Sequence, residues 1–367
     1  MSSIPATQKA WKVVRRGSPA QALVCDEKAD VPSKLAPGEI LVKVQAAALN
    51  PVGHKVMGML PNFIAKRPHV AEHDFAGVVV DANGTDLQNG QEVYGFIPVP
   101  LTFKSHQGSL AQYTRLPASH VVPRPPTLSP TEAAGLTLVG LTAYQALFTI
   151  AKLEEGQHLF VNGGSTAVGI AAIQLAKAVG CTVTASASDK REPLLRSLGF
   201  VDYTKGPVYS QLERNPPSPK FHVIFDAVGN TDVLLYTHSE KYLVPNGIFV
   251  SVGMTPQSVS SFIQTLHYVF ELARPAVLGG TRRTWKAVML SFNREEFEKF
   301  AQLVKDGMLR NVLDMNVFGP LTCTHAGKVK PVVDSVYSFD NVLKAYERIM
   351  TSRAAGKVVV KVDPSVV

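Results

Sequence analysis

A glycine-rich segment, Asn162-Gly163-Gly164-Ser165-Thr166-Ala167-Val168-Gly169, has the composition of a loop that binds phosphate. Small residues let the main chain approach a pyrophosphate, and the free N–H groups that open a following helix stabilise its charge. Gly169 would let that helix pack closely on the preceding strand. Thr166 stands where the middle glycine of the G-x-G-x-x-G pattern is expected. The segment predicts a dinucleotide loop, with candidate residues Gly164, Ser165, Thr166, Ala167, Val168 and Gly169; the alternative is a tight turn.

The segment Ala187-Ser188-Asp189-Lys190-Arg191 indicates which dinucleotide is bound. A site for NAD places Asp or Glu at the end of the second strand, where it holds the ribose 2′-OH. Here Ser188 can donate a hydrogen bond, and Lys190 and Arg191 can neutralise a 2′-phosphate. We expect Asp189 to point away or to orient a basic neighbour. These residues favour NADPH; the alternative is a charged helix start.

Alternating strands and helices must position these segments. Strands are predicted at 158–163, 182–186, 223–226, 248–251 and 286–289, with helices at 168–179 and 192–198. Apolar strands separated by helices are typical of a parallel, doubly wound sheet. The glycine-rich segment then lies at the first junction from strand to helix, where a dinucleotide loop is expected.

The flanking regions predict a second, β-rich module. Strands are predicted at 38–46, 75–80 and 92–95, a helix start at Ser129-Pro130, and a final helix and strand at 341–350 and 357–361. We expect the last strand to return to the first module. The predicted domains are therefore 1–126, 127–293 and 294–367, the third returning to the first.

Composition limits the classes of function. The chain has 367 residues, is 46% hydrophobic and carries a net charge of +8. Its basic residues are scattered, so we expect no nucleic-acid partner; attraction of a phosphorylated cofactor explains the charge more simply. We also expect no membrane span and no secretory signal. Three widely spaced cysteines fit a reducing compartment, and a cytoplasmic location is predicted.

At this point the chain resembles a medium-chain dehydrogenase/reductase along nearly its whole length. That resemblance implies an α/β fold with a GroES-like, β-rich catalytic domain and a doubly wound parallel Rossmann domain, the active site lying between them. The matching segments are Val42–Val52, His73–Gly77, Gly108–Tyr113, Leu141–Tyr144, the glycine-rich loop, Phe225–Gly229 and Gly356–Val359.

The resemblance also bears on metal binding. Zinc-dependent members use a Cys, a His and a second Cys as catalytic ligands, and the corresponding positions here are Asn50, His73 and the neighbourhood of Val139. One ligand does not hold a catalytic zinc, which needs about three from the protein. The four-cysteine structural lobe is missing too. We therefore expect no metal and place the chain in the zinc-independent branch of quinone oxidoreductases and fungal trans-acting enoyl reductases.

Roles for individual residues follow from the same resemblance. It assigns Lys55 and Thr142 to the nicotinamide side of the active-site cleft, with Asn50 as a further hydrogen-bond donor. This sequence departs from the family at Gly53, where a small polar residue is common. Three simpler interpretations stay open: a solvated turn residue for Lys55, a capping residue at a helix-adjacent turn for Thr142, and a turn-holding residue for Asn50. Further cofactor contacts are expected from Tyr203 beside the adenosine, and from Val228 and Gly253.

The expected activity is NADPH-dependent reduction of an activated C=C bond in an apolar enone or enoyl thioester, with a polyketide synthase as an expected partner. One alternative is an NADPH:quinone oxidoreductase, with a quinone as substrate. Another, from a different class, is a non-catalytic NADPH-binding protein of the crystallin type. Monomer and homodimer both stay open.

The segment 308–327 has no counterpart in the resemblance. Two interpretations stay open: a surface insertion particular to this lineage, and a short intron that has been translated. Sequencing of the transcript distinguishes them.

Overall fold

The structure is a computed structural model that describes residues 4–191, 198–229, 233–253, 259–305 and 332–366. The chain divides into two compact units. One comprises Met1–Leu138, Phe292–Ala301 and Lys330–Val367, and the other comprises Val139–Ser291 and Gln302–Val329. The domain bounds expected from the sequence stay predictions. The segment 308–327 and nearly all of the helix predicted at 192–198 lie outside the described residues.

The first segment of the chain is rich in short strands. Its strands are β1 (Thr7–Val13), β2 (Leu23–Asp30), β3 (Glu39–Ala48), β4 (His69–Val70), β5 (Asp74–Asp81), β6 (Glu92–Phe96), β7 (Tyr113–Pro117) and β8 (Val121–Pro123). Its helices are α1 (Pro19–Ala22), α2 (Pro51–Met59), α3 (Val99–Ser105) and α4 (Pro130–Ala134), followed by α5 (Thr137–Tyr144). As predicted, α4 begins at Pro130 with Ser129 as its N-cap, and the Ser129 hydroxyl accepts a hydrogen bond from the N–H of Glu132.

The second segment alternates strands with helices. Its strands are β9 (His158–Asn162), β10 (Thr182–Ala187), β11 (Gly199–Asp202), β12 (Phe221–Asp226), β13 (Leu243–Ser251) and β14 (Thr284–Ala287). Its helices are a π-helix (Gln145–Ile150), α6 (Ala167–Ala178), α7 (Val208–Arg214), α8 (Leu234–Thr237) and α9 (Val259–Ala273). The strand predicted at 286–289 is observed two residues earlier.

The closing segment comprises α10 (Arg294–Lys305), β15 (Val333–Ser338), α11 (Val342–Met350) and β16 (Lys357–Lys361). Strand β16 pairs antiparallel with β3, Val359 facing Ala48, and parallel with β15. The predicted return of the last strand to the first module is therefore confirmed. More than 300 residues of chain separate β3 from β16, so their pairing is a long-range contact.

Two sheets dominate the described residues. In the first unit the order is β15-β16-β3-β5-β6-β8, with β7 also pairing with β3, and β2-β1-β4 form a smaller sheet. In the second unit the order is β11-β10-β9-β12-β13-β14, and every pair in it is parallel. The strand order reverses beside β9, the arrangement of a doubly wound dinucleotide-binding sheet. The fold class expected from the sequence is confirmed.

Each unit packs an apolar core of its own. In the first unit, the core cluster includes the fully buried Phe75 on β5, Val360 on β16 and Tyr346 on α11. In the second, Phe160 on β9 and Phe221 on β12 belong to one apolar cluster with Tyr242, which precedes β13. None of the described helices combines the length and the apolar character needed to cross a lipid bilayer.

Candidate active site

The glycine-rich segment forms a tight loop between β9 and α6. Gly163 adopts a positive φ of 82°, and a Cβ on Gly169 would lie 2.2 Å from the carbonyl oxygen of Gly163. Glycine is therefore required at 169, because the start of α6 packs against the loop backbone. The N–H groups of the first helical turn, at Ala167 and Val168, have no acceptor within the helix and suit a phosphate group.

Thr166 explains how the loop works without its middle glycine. It is the N-cap of α6, and its hydroxyl donates to the carbonyl of Gly163 (2.9 Å) and accepts from the N–H of Gly169 (3.0 Å). These two bonds hold the turn that brings β9 into α6. The threonine side chain thus fixes the conformation of the loop.

The other predicted cofactor residues lie on one edge of the parallel sheet. Each follows the carboxyl end of a strand: Ser188 and Lys190 follow β10, Tyr203 follows β11, Val228 follows β12 and Gly253 follows β13. Because the strands are parallel, these ends meet at the same edge as the loop after β9. Tyr203 and Val228 are about half exposed (54% and 50%), and their cofactor contacts stay predictions.

The segment after β10 exposes Lys190 to solvent. Residues 189–191 form a short 3₁₀ turn in which Asp189 and Lys190 are exposed. One carboxylate oxygen of Asp189 accepts from the N–H of Lys190 at 2.6 Å. This bond ties the carboxylate to the backbone of the same turn, and the expected role of Asp189 stays a prediction. The backbone of Arg191 belongs to the same turn.

A buried chain of polar side chains ties this edge together. The Ser186 hydroxyl donates to the Asn162 side-chain oxygen (2.7 Å), and the Asn162 amide donates to Asp226 (2.9 Å). Ser251 donates to the other oxygen of Asp226 (2.9 Å). The side chains of four adjacent strands, β10, β9, β12 and β13, are thus joined in order.

The same chain of side chains reaches the cofactor loops. Ser186 Oγ accepts from the N–H of Gly163 (3.0 Å), Asp226 accepts from the N–H of Val228 (3.2 Å), and Ser251 Oγ accepts from the N–H of Gly253 (3.2 Å). Burial raises the pKa of Asp226, and the hydrogen bonds from its neighbours oppose that rise. One buried carboxyl therefore fixes the starting points of loops that carry predicted cofactor contacts.

In the first unit, helix α2 carries two of the three predicted catalytic residues. Asn50 is its N-cap, and Lys55 lies on its second turn. Lys55 is half-buried, and burial lowers the pKa of its ammonium group. The neighbouring His54 is also half-buried, with a pKa lowered mainly by burial and further by Lys55. The alternative of a solvated turn residue is wrong for Lys55, because Pro51 starts a helix here.

Asn50 does not cap α2 with its side chain. Its amide nitrogen donates to Asp74 (3.0 Å) and to the carbonyl of Ala48 (3.3 Å), and its amide oxygen accepts from the ammonium group of Lys357 (2.6 Å). Lys357 also forms an ion pair with Asp74 (3.0 Å), and both side chains are almost fully buried. The side chain of Asn50 is therefore oriented by a buried ion pair from β5 and β16 and does not hold a turn.

Thr142 lies inside helix α5, where it is buried with 7% exposed. The interpretation that it caps a helix from an adjacent turn is wrong. Residues 137–144 are nearly all apolar, so no amphipathic period marks the helix in the sequence, and burial on several sides stabilises it instead. Thr142 belongs to the second unit, and its predicted role stays a prediction.

The residues at the zinc-ligand positions do not suit zinc. The Nδ1 atom of the buried His73 is hydrogen-bonded to the carbonyl of Ile97 at 2.9 Å. Asn50 already faces the ammonium group of Lys357, a cation that a metal ion would have to displace, and Val139 offers no ligand atom. Within the described ranges, no three His, Cys, Asp or Glu side chains are grouped as a metal site.

Sequence reasoning missed four residues of this region. Glu72, Asp74, Tyr346 and Lys357 are buried and linked to Asn50 or to each other, across up to 307 residues of chain. The one local signal is the pair of acids Glu72 and Asp74, which flank His73 at the start of an apolar strand. Nothing local in the sequence indicated their partners in α11 and β16.

Comparisons with known proteins agree with this geometry. Residues 36–126 match the family model described as the alcohol dehydrogenase GroES-like domain, and residues 167–306 and 321–360 match two models described as zinc-binding dehydrogenase. The trans-enoyl reductase pgmF of Aspergillus terreus is 35% identical, covering 99% of this chain and 98% of that protein. The trans-enoyl reductase poxH of Penicillium oxalicum is 32% identical, covering 98% and 99%.

A solved structure shares the whole fold. The quinone oxidoreductase from Coxiella burnetii superposes with a TM-score of 0.73, covering 97% of this chain and 99% of that one, at 24% identity. The chain belongs to the medium-chain dehydrogenase/reductase superfamily, in its enoyl reductase branch. It is an oxidoreductase of that type, and the family binds a nicotinamide cofactor.

Proposed function

We propose that this protein is an NADPH-dependent, zinc-independent reductase of C=C bonds conjugated to a carbonyl group. The observation that carries the proposal is the pairing of two features. Its full-length relatives are trans-enoyl reductases. In addition, Asn50 stands at a position that supplies a zinc ligand in zinc-dependent members, and here its side chain is hydrogen-bonded to the buried ammonium group of Lys357. A reductase of this type needs hydrogen-bond donors and a proton source from the protein, in place of a Lewis acid.

The dinucleotide fits the carboxyl edge of the parallel sheet. The N–H groups of Ala167 and Val168, with Ser165, would hold the pyrophosphate at the start of α6. Ser188, Lys190 and Arg191 would hold the 2′-phosphate, because a hydroxyl and two basic residues flank Asp189 at the end of β10, the place from which an NAD site holds the ribose. Tyr203 would lie against the adenosine, and Gly164, Thr166, Gly169, Val228 and Gly253 shape the edge.

The bound cofactor supplies a hydride to the β-carbon of the substrate, which leaves an enolate that needs charge stabilisation and a proton. Asn50 is 1% exposed, and its side-chain amide already donates to Asp74 and to the carbonyl of Ala48, so it would fix the start of α2 instead of donating to the substrate. Lys55 would hold a proton beside the developing charge and deliver it, and its lowered pKa favours that transfer. Thr142 would add a hydroxyl donor.

We also propose a substrate class, a partner and a cellular location for the enzyme. Its substrate would be an apolar enone or an enoyl thioester, and a polyketide synthase would be the partner that presents a thioester. A cytoplasmic location suits three widely spaced cysteines and a reducing cofactor. Monomer and homodimer are separated by measuring the mass of the protein in solution.

A panel assay tests the proposal. Purified protein is supplied with NADPH or NADH and with an enone, an acyl thioester or a quinone, and cofactor oxidation is followed. We expect turnover of the enone or thioester with NADPH, unaffected by a chelator. Faster turnover of a quinone supports the quinone oxidoreductase alternative, and binding of NADPH without turnover of any acceptor supports the non-catalytic one. Loss of activity to the chelator contradicts zinc independence.

Lys190→Ala tests the choice of cofactor. Removing a cation from the 2′-phosphate should raise the Kd of NADPH about tenfold, equivalent to ~1.4 kcal/mol, and leave the Kd of NADH unchanged. The exposed Lys205→Ala, on the turn after β11, is the matched control. Equal effects on NADPH and NADH would contradict a 2′-phosphate contact.

A further inference from the structure

Glu72 is an unusual residue in the first unit. Its side chain is a buried carboxyl, with 2% of the residue exposed, two residues before β5. Its backbone adopts a φ of 63°, in the left-handed region that residues other than glycine rarely occupy. Both features cost free energy, and strained residues of this kind concentrate at functional sites.

The carboxylate of Glu72 joins two helices. Oε1 accepts from the hydroxyl of Tyr346 on α11 at 2.6 Å, and Oε2 accepts from the backbone N–H of Asn50 at 3.1 Å. Tyr346 is itself buried, with 1% exposed. Glu72 therefore anchors the N-cap of α2 to the helix that precedes β16.

The same carboxylate fills the space beside Gly53. A Cβ built on Gly53 would lie 2.1 Å from Oε1 and 2.8 Å from Cδ of Glu72, distances that no real side chain tolerates. Gly58 on the same helix has room, since its Cβ would meet its nearest neighbour at 4.0 Å. Glu72 thus occupies the volume that a side chain at position 53 would use, against the first turn of α2.

We propose that Glu72 is a positioning residue: it takes the place of a side chain at position 53 and holds α2, with Asn50 and Lys55, in the geometry that the reaction needs. This rests on the proposed function, in which Lys55 acts on the substrate. Burial raises the pKa of Glu72 to about 7, while Tyr346, Lys357 and the N–H of Asn50 stabilise its charged form and Asp74 opposes it.

A reciprocal exchange of residues tests the proposal. Glu72→Gly removes the carboxylate and suits the positive φ, and Gly53→Asp inserts a carboxylate from the other side. We expect each single variant to lower kcat about tenfold, a loss of ~1.4 kcal/mol in transition-state stabilisation, with the Kd of NADPH unchanged. The double variant should recover kcat to within about threefold of the original protein, because neighbouring residues are non-additive.

Two control variants and one variant of the Glu72 anchor separate a positioning role from an effect on stability. Gly58→Ala on the same helix and Glu27→Gln, an exposed acid on β2, should leave kcat unchanged. Tyr346→Phe should lower kcat in the same direction as Glu72→Gly, since it removes one anchor of the carboxylate. A residue that acted only on stability would lower the thermal midpoint and leave kcat per folded molecule intact, which would overturn the proposal.

A second measurement does not depend on turnover. The pH dependence of Lys55 modification by an amine-reactive reagent is followed by peptide mass spectrometry in the resting protein. We expect Glu72→Gly to move the midpoint for Lys55 upward, as α2 loosens and Lys55 becomes hydrated, and the double variant to restore it. Additive losses in the exchange, or an unchanged midpoint for Lys55, would overturn the proposal. An inactive original protein would instead contradict the proposed function.

Discussion

Lys55 is the residue on which the proposed chemistry depends most directly. Its ammonium group is half-buried on α2, and burial lowers its pKa, so it can give up a proton more readily than a solvated lysine. We predict that Lys55→Ala lowers kcat about 100-fold, a typical general-acid contribution, and leaves the Kd of NADPH unchanged. Steady-state kinetics and cofactor fluorescence titration measure the two quantities.

The variant Lys55→Arg separates proton transfer from charge. Arginine keeps the positive charge but stays protonated, so it stabilises an enolate without delivering a proton. We expect the kcat of Lys55→Arg to lie between those of Lys55→Ala and the original protein, because only the proton transfer is lost. Activity close to that of the original protein in either variant would contradict a proton-donating role for Lys55.

Glu72 should make stability depend on pH in a particular direction. Its pKa in the folded protein, about 7, lies above the ordinary carboxyl value of 4.5. Between these values the folded state binds more protons than the unfolded state, so the free energy of unfolding falls as pH rises. We predict that this decline between about pH 5 and pH 7 is smaller in Glu72→Gln.

Denaturant unfolding at pH 5 and pH 8 measures the difference between Glu72→Gln and the original protein. Asp226, whose pKa is also raised by burial, contributes a decline of the same sign, but it is present in both proteins and cancels from the comparison. An equal pH dependence in the two proteins would show that Glu72 is ionised in the folded state across this range.

At the scale of elements, the strands of the second unit present the cofactor loops through shared side-chain contacts. Asp226 at the end of β12 accepts from Asn162, Ser251 and the N–H of Val228. We predict that Asp226→Asn raises the Kd of NADPH about tenfold, equivalent to ~1.4 kcal/mol, because an amide nitrogen cannot accept these bonds and leaves buried donors unpaired.

Isothermal titration of NADPH into Asp226→Asn checks this prediction. The matched control is Asp334→Asn in the first unit, where the side chain of Asp334 is also buried and pairs with Arg348 on α11. We expect the control to lose stability without weakening the cofactor. An unchanged Kd in Asp226→Asn would mean that the loops hold their shape without the buried carboxyl.

The elements that sequence predicts best are those whose signals are local. The loop from β9 to α6 was predicted because its small residues, strand and helix are contiguous, and Gly169 proves indispensable for the expected reason. The helix around Thr142 is not predicted from sequence, because an apolar helix shows no periodic pattern. The role of Glu72 was not predictable, since Tyr346, its partner, lies 274 residues further along the chain.

At the scale of the whole molecule, the first unit is assembled from distant parts of the chain. Strand β16 supplies the buried Val358, Val359 and Val360 to the sheet that β3 begins, and Lys357 reaches Asn50 and Asp74. The six-stranded sheet of the second unit, in contrast, is built from β9 to β14 in one stretch of sequence. Loss of a contact made by β16 should therefore affect the two units differently.

The two tryptophans of the chain allow each unit to be followed separately. Trp11 on β1 donates its indole N–H to the carbonyl of Phe339 in the first unit, and Trp285 lies on β14 in the second. Trp285→Phe leaves Trp11 as the only reporter of unfolding by fluorescence, and Trp11→Phe leaves Trp285. Introducing Lys357→Met into each background isolates the effect of Lys357 on each unit.

We predict that Lys357→Met lowers the free energy of unfolding reported by Trp11 by about 3–5 kcal/mol, because Asp74 is left buried without its cation. The transition reported by Trp285 should shift less, and the Kd of NADPH should not change. Adding Asp74→Asn should recover part of the loss, since the uncompensated charge is gone, whereas Lys361→Met, a half-buried lysine on the same strand, should have little effect. Equal shifts at both tryptophans would show that the ion pair supports the molecule as one cooperative body, and the catalytic and cofactor-binding units would then have to be treated as a single unfolding unit.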